Sequence, residues 1–329
     1  MTIQLQDFLI DPYRSTIFTA IFISVLVFAV RAKSWHEWLL IVCFVSGARI
    51  VFGTQTFFPL SNWELIRVDR CALEGLVWLL VSAAIFQKLN LEYSFRFLSV
   101  LGWVNFALLV APPHLGLLSN PSMSGTFQAL LIPFLYSRGG PLWVLSAVAI
   151  PFIKASNPIA ILGVEILTLS LSLPFRWRAS IFSLTGTGLA ISVYFMGGLS
   201  IFLSGSGREE LYQKAWQFWQ SVGSPWILGT GTGTFPALAW RFPVSNSHFP
   251  FMHSDWQQIL YEQGVVGLFF AIGLIVSLLW RTRHFPVHFA FWIGLAVSGI
   301  FNMPLRYAPT AFLCLVMLKG VVNDTRHHS

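Results

Sequence analysis

The chain is poor in charge and in cysteine, and it lacks any repeat or low-complexity tract; each scarcity removes a class of protein. Only 10% of its 329 residues are Asp, Glu, Lys or Arg, against 55% hydrophobic, whereas water-soluble domains carry charge on about a quarter of their residues. Three cysteines, Cys43, Cys71 and Cys314, fall in or beside apolar segments without metal-ligand spacing, so neither a disulfide framework nor a zinc site is expected. The absence of a fixed-period repeat leaves a solenoid or an inverted-repeat transporter without support. The net charge of +7 comes from basic residues spread singly or in pairs, with no basic stripe or tail, so no nucleic acid is expected as a partner. No small-residue cleavage site ends the apolar run that follows Arg14, and that run is expected to stay as a helix.

What the chain has is long apolar runs. A membrane-spanning helix needs about 20 mostly apolar residues, because it rises about 1.5 Å per residue across a hydrocarbon layer about 30 Å thick. Runs near 15–30, 38–58, 71–87, 96–112, 126–137, 141–153, 158–173, 180–203, 259–280, 287–302 and 305–320 answer that description. The pair at 126–137 and 141–153 is short, as tilted, kinked or re-entrant segments are. The 14 tryptophans and 31 phenylalanines suit bilayer interfaces and interior. The expected fold is all-α: a polytopic integral membrane helical bundle of about 10–12 transmembrane helices forming a single domain over 1–329.

Basic residues set the orientation, since cytoplasmic connections are enriched in them. Arg31/Lys33, Lys88/Arg96, Arg138, Arg176/Arg178, Arg281/Arg283 and Lys319/Arg326 fall on one side if every run crosses once. That side is expected to be cytoplasmic, which puts the C-terminus inside and the one long polar loop, about 204–258, outside. Within the loop a helix is expected at 208–221, with Leu211, Ala215, Phe218 and Trp219 on a face able to lie along the membrane, opposite Glu209, Glu210 and Gln217. Charges inside spans, Arg49, Glu74 and Glu165, are expected to face the bundle interior, with Arg49 able to pair with Glu74.

The stretch from Ser204 to Gly267 carries three patterned elements. His253-Ser254 is followed, after nine residues, by Gly264-Val265-Val266-Gly267; Gly205-Ser206-Gly207-Arg208 precedes a helix containing Trp216 and Trp219; and Pro225-Trp226-Ile227-Leu228-Gly229-Thr230-Gly231-Thr232-Gly233-Thr234-Phe235 alternates glycine with threonine. In order and spacing these resemble the O-antigen ligase and O-antigen polymerase superfamily of membrane glycan transferases. Asn120-Pro121 and Phe301-Asn302-Met303-Pro304-Leu305 are looser resemblances. The resemblance implies a bacterial inner-membrane enzyme with its active loop facing the periplasm. It also implies an undecaprenyl diphosphate-linked glycan as donor, a hydroxyl on a glycan or lipid acceptor, and membrane lipids as surroundings. It further implies metal-independent chemistry, and no cofactor is expected. The ligase and polymerase readings differ only in the acceptor, and the His-Ser pair leans towards ligase.

The residue chemistry runs parallel. A glycan leaving a lipid diphosphate puts negative charge on the departing phosphates, which Arg forks can pair by two parallel bonds; Arg208, Arg241 and Arg306 are the candidates. An imidazole near its ordinary pKa can take the proton of the attacking hydroxyl, which makes His253 the candidate catalytic group. Plainer roles stand beside these. His253 can be an interfacial residue at the head of the next span, with Ser254 or Asp255 as N-cap. Arg208 and Arg241 can bind anionic head groups, and Arg306 can snorkel. Gly264 and Gly267 are expected to give a smooth face for a neighbouring helix, and the Gly229–Gly233 run is either a diphosphate cradle or a turn. A reading from another class is a non-enzymatic transporter of a lipid-linked glycan or anion, with Arg49, Glu74 and Glu165 lining its path.

Overall fold

The computed structural model describes residues 85–86, 88–111, 116–118, 120–153, 155–171, 208–221, 227, 229–230, 235 and 252–326. Among them the regular structure is all helical, with no strand. The helices are α1 (Leu91–Val110), α2 (Pro121–Arg138), α3 (Leu142–Ala149), α4 (Ser156–Ser170), α5 (Arg208–Ser221), α6 (Asp255–Thr282), α7 (Pro286–Phe301) and α8 (Ala308–Arg326), with 3₁₀ turns at Ile150–Ile153 and Pro304–Arg306. Helices therefore stand where the runs near 96–112, 126–137, 141–153, 158–173, 259–280, 287–302 and 305–320 place them. The runs at 15–30, 38–58 and 180–203, most of 71–87, and Arg49 and Glu74 lie outside the described residues.

The described residues fall in two compact units. One holds α1 to α4, residues 253–255, and the chain from 278 onward; the other holds α5, the described loop residues up to 252, and residues 256–277 of α6.

In the first unit α2 is the central element. Every residue from Ser124 to Leu135 is buried, the mark of a helix surrounded on all sides. Asn120 caps it by accepting the N–H of Met123 at 3.1 Å, and Pro121 occupies the first turn, where its missing N–H costs nothing. The helix thus has 18 residues, not the short run that hydropathy alone marks out. Its first turns are polar, and they are tied to neighbouring helices. Asn105 of α1 donates to Gln128 Oε1 at 2.8 Å, Gln128 donates to Ser146 Oγ of α3 at 2.7 Å, and Asn157 of α4 donates to Thr126 Oγ1 at 2.8 Å. Such bonds join helices where burial of apolar surface supplies little drive for association.

The two ends of this unit differ in charge. At the end where α1 begins and α2 finishes, the Arg138 guanidinium stacks 4.4 Å from the Phe95 ring, and Lys319 of α8 lies 4.9 Å from the Phe86 ring and donates to the Phe86 carbonyl at 3.2 Å. Lys88 and Arg96 belong to the same end through their place at the head of α1. The opposite end gathers the starts of α2, α4 and α8 with the finish of α7. There Asn302 donates to Thr126 Oγ1 at 3.4 Å and accepts from the Tyr307 hydroxyl at 2.6 Å.

Two described helices, α1 and α6, are long and apolar enough to cross a bilayer. Each turns a stripe of large apolar side chains outward. On α1 it runs through Tyr93, Phe97, Val100, Val104 and Leu108, and on α6 through Val265, Phe269, Ile272 and Val276. Residues spaced three and four apart share one helix face, so each stripe is continuous along its helix. Glu165 of α4 is fully buried, as expected for a charge inside a span, and its carboxylate lies where a Cβ on Gly294 of α7 would be 2.5 Å away.

Candidate functional site

The carboxyl end of α7 leaves carbonyls without partners inside its own helix, and the segment that carries the His-Ser pair supplies them. Ser254 Oγ donates to the Gly299 carbonyl at 3.0 Å, and the Asp255 N–H donates to the Asn302 carbonyl at 3.2 Å. Asp255 in turn accepts the N–H of Leu305, 3.5 Å from its Oδ2, which ties it to the 3₁₀ turn Pro304–Arg306. Ser254 is 1% exposed. The half-buried His253 beside it adopts φ 54°, alone among the described non-glycine residues in having a positive φ, a conformation an L side chain takes only where its surroundings impose it.

The structure therefore joins elements that are far apart in the sequence: His253-Ser254, the Asn302–Leu305 stretch and the turn that ends in Arg306. The Arg306 backbone stands in that turn, and its side chain lies outside the described residues. Asn302 holds the corner, with Oδ1 accepting the N–H of Met303 at 3.0 Å besides the Tyr307 hydroxyl. Nothing in the local sequence marks Asn302 or Asp255 for this work, because their partners arrive from other helices.

The second unit contains the other patterned elements. Helix α6 does not run straight: Gly264 has φ 68° and ψ −170°, which breaks the ladder inside Asp255–Thr282. The glycine-threonine loop repairs the break. Thr230 N–H donates to the Tyr261 carbonyl at 2.9 Å, and Val266 N–H donates to the Ile227 carbonyl at 3.2 Å, so groups freed by the kink are satisfied by loop backbone. The approach is close enough that a Cβ on Gly264 would strike the Ile227 carbonyl, and one on Gly229, itself at φ 72°, would strike the Glu262 backbone. Glu262 Oε1 accepts from Phe235 N at 3.3 Å and from Gln258 Nε2 at 3.0 Å, while the Phe235 ring meets Tyr261 edge-on at 5.4 Å. Gly264 is thus a hinge that receives a loop and not part of a smooth face for another helix. A Cβ on Gly267 would meet the Gln263 side chain of its own helix.

The loop helix appears as α5, Arg208–Ser221. Its Leu211 and Ala215, two of the four residues expected to face the membrane, are fully buried in protein. Arg208 opens α5; its side chain, those of Phe218 and Trp219, and the whole of Arg241 lie outside the described residues. Between α5 and the start of α6 lies a cavity of ≈ 400 Å³. Among the described residues no three His, Cys, Asp or Glu side chains gather as a set of metal ligands. Comparison with protein-family models, with curated proteins and with solved structures gives no match.

Proposed function

We propose that the chain is a multi-pass inner-membrane glycan transferase of the O-antigen ligase or polymerase type, acting on an undecaprenyl diphosphate-linked oligosaccharide at the periplasmic face. The observation that carries this reading is the fixing of His253: a half-buried imidazole on a left-handed residue, followed directly by a buried serine and an aspartate anchored to the end of α7 and to the Arg306 turn. Those anchors fix the backbone that carries the ring before substrate arrives, and pre-positioning of this kind is where much of an enzyme's rate comes from. The outward apolar stripes of α1 and α6 support a membrane setting. The basic end of the first unit supports a cytoplasmic placement of that end, which leaves His253, at the other end, facing the periplasm.

In this mechanism His253 accepts the proton of the acceptor hydroxyl as its oxygen bonds to the anomeric carbon. The bond from that carbon to the phosphate oxygen breaks with its electron pair, and undecaprenyl diphosphate departs. Arg208, Arg241 and Arg306 pair with the departing phosphate oxygens. Replacing His253 by Ala should abolish glycan transfer with membrane insertion unchanged, and full activity in that variant would sink the reading.

Glu165 favours a second reading, a transporter. Its carboxylate is fully buried in α4 and meets no hydrogen-bond partner among the described residues, and ionisable groups placed so in a membrane mark ion or substrate paths. Under that reading Glu165→Gln, and not His253→Ala, removes the glycan phenotype in the same assay.

A further inference from the structure

We propose that Tyr307 is a positioning residue for His253, acting through Asn302 and Asp255; this rests on the glycan-transfer reading and names a further group on which that site depends. Tyr307 is buried, and it stands between the 3₁₀ turn Pro304–Arg306 and the start of α8. Its backbone is held on both sides: its N–H donates to the Pro304 carbonyl at 3.2 Å, and its carbonyl accepts the Ala311 N–H of α8 at 2.8 Å. From that fixed base the hydroxyl donates to Asn302 Oδ1 at 2.6 Å. The side chain thereby closes residues 302–307 into a loop tied at its two ends.

That loop receives the His-Ser segment. The Asn302 carbonyl accepts the Asp255 N–H at 3.2 Å, and the Leu305 N–H donates to Asp255 Oδ2 at 3.5 Å, so Asp255 is gripped twice by residues that Tyr307 ties together. Two positions earlier, His253 keeps its φ of 54°, which a non-glycine residue retains only where its surroundings over-determine it. If the loop slackens, Asp255 moves with it, the left-handed residue relaxes, and the imidazole leaves its place beside the attacking hydroxyl. A misplacement of about 1 Å can cost about a hundredfold in rate. Loss of the Tyr307 hydroxyl alone still leaves the Asn302 amide partnered, since Oδ1 accepts the Met303 N–H at 3.0 Å and Nδ2 donates to Thr126 Oγ1 at 3.4 Å. The corner would loosen without collapsing. Asn157 supplies the contrast. It belongs to the same buried polar cluster and donates to Thr126 Oγ1 at 2.8 Å and to Ser298 Oγ at 3.4 Å, and neither bond reaches residues 253–255.

The test uses the full chain in proteoliposomes, supplied with carrier-linked glycan purified from cells that lack the gene and with the lipid extract of those cells as acceptor. Release of undecaprenyl diphosphate gives kcat per folded molecule and KM for the donor. Tyr307→Phe keeps the ring and should fold; its kcat should fall roughly tenfold with KM unchanged. Asn157→Leu should do the reverse, lowering the melting temperature while each folded molecule keeps the wild-type kcat. A merely structural role for Tyr307 would move the melting temperature and the folded fraction, not kcat per folded molecule. The proposal is overturned if Tyr307→Phe turns over at the wild-type kcat, if its loss lies in KM, or if Asn157→Leu loses kcat to the same extent. His253→Ala keeps the two ideas apart: transfer by that variant removes the enzyme reading, whereas an inactive His253→Ala beside a fully active Tyr307→Phe removes the positioning role alone.

Discussion

At His253 the backbone is strained, and a non-glycine residue held in the left-handed region costs on the order of 1 kcal/mol or more. That free energy is recoverable by glycine, which takes such angles readily. His253→Gly should therefore be more stable to heat in detergent than His253→Ala, by about 1 kcal/mol, while both lose glycan transfer. Equal melting temperatures for the two would show that the position is not strained in the folded protein. The His-Ser pair was legible in the sequence because its spacing to Gly264 is local and fixed. The corner that orients it was not, since Asn302 meets Thr126 across 176 positions, and neither residue departs from what an apolar span tolerates. Asp255 was visible as a neighbour of His253, but its bond to Leu305 depends on how α7 ends.

Helix α6 shows the same division at the scale of an element. Its existence follows from composition; its kink does not, because a glycine in an apolar run serves equally as a packing face or as a hinge. What decides is the loop that docks there. Gly264→Ala would put a Cβ into the Ile227 carbonyl at φ 68°, with no flexible atom able to give way, and should lower stability by more than about 2 kcal/mol. A Cβ on Gly267 would strike Gln263 Cβ, an atom fixed to the backbone, so Gly267→Ala should destabilise as well. Thermal unfolding of Gly264→Ala in detergent measures this loss, and an unchanged melting temperature would remove the hinge. Helix α2 was misjudged in length for a related reason. Its opening turns are polar and score poorly on hydropathy, yet Ser124, Thr126 and Gln128 are buried and bonded to neighbouring chain. A hydropathy window weighs their desolvation without their partners.

For the whole molecule the account turns on sidedness. Arg138, Lys319, Lys88 and Arg96 were grouped by alternation along the sequence, and contacts with Phe95 and Phe86 bring two of them to the head of α1. With that end in the cytoplasm, a fluorescent protein fused after Ser329 should fluoresce, and alkaline phosphatase inserted within 222–226 should be active; the reverse pattern would turn the chain over and place His253 away from the carrier-linked glycan. The measurement that bears most directly on the central claim is gel analysis of surface glycan in cells that lack the gene and carry either the wild-type chain or His253→Ala at equal membrane abundance. The account predicts that the wild type restores the mature glycan pattern, while the variant leaves carrier-bound or single-repeat glycan, as the deletion does. A mature pattern restored by His253→Ala would contradict it.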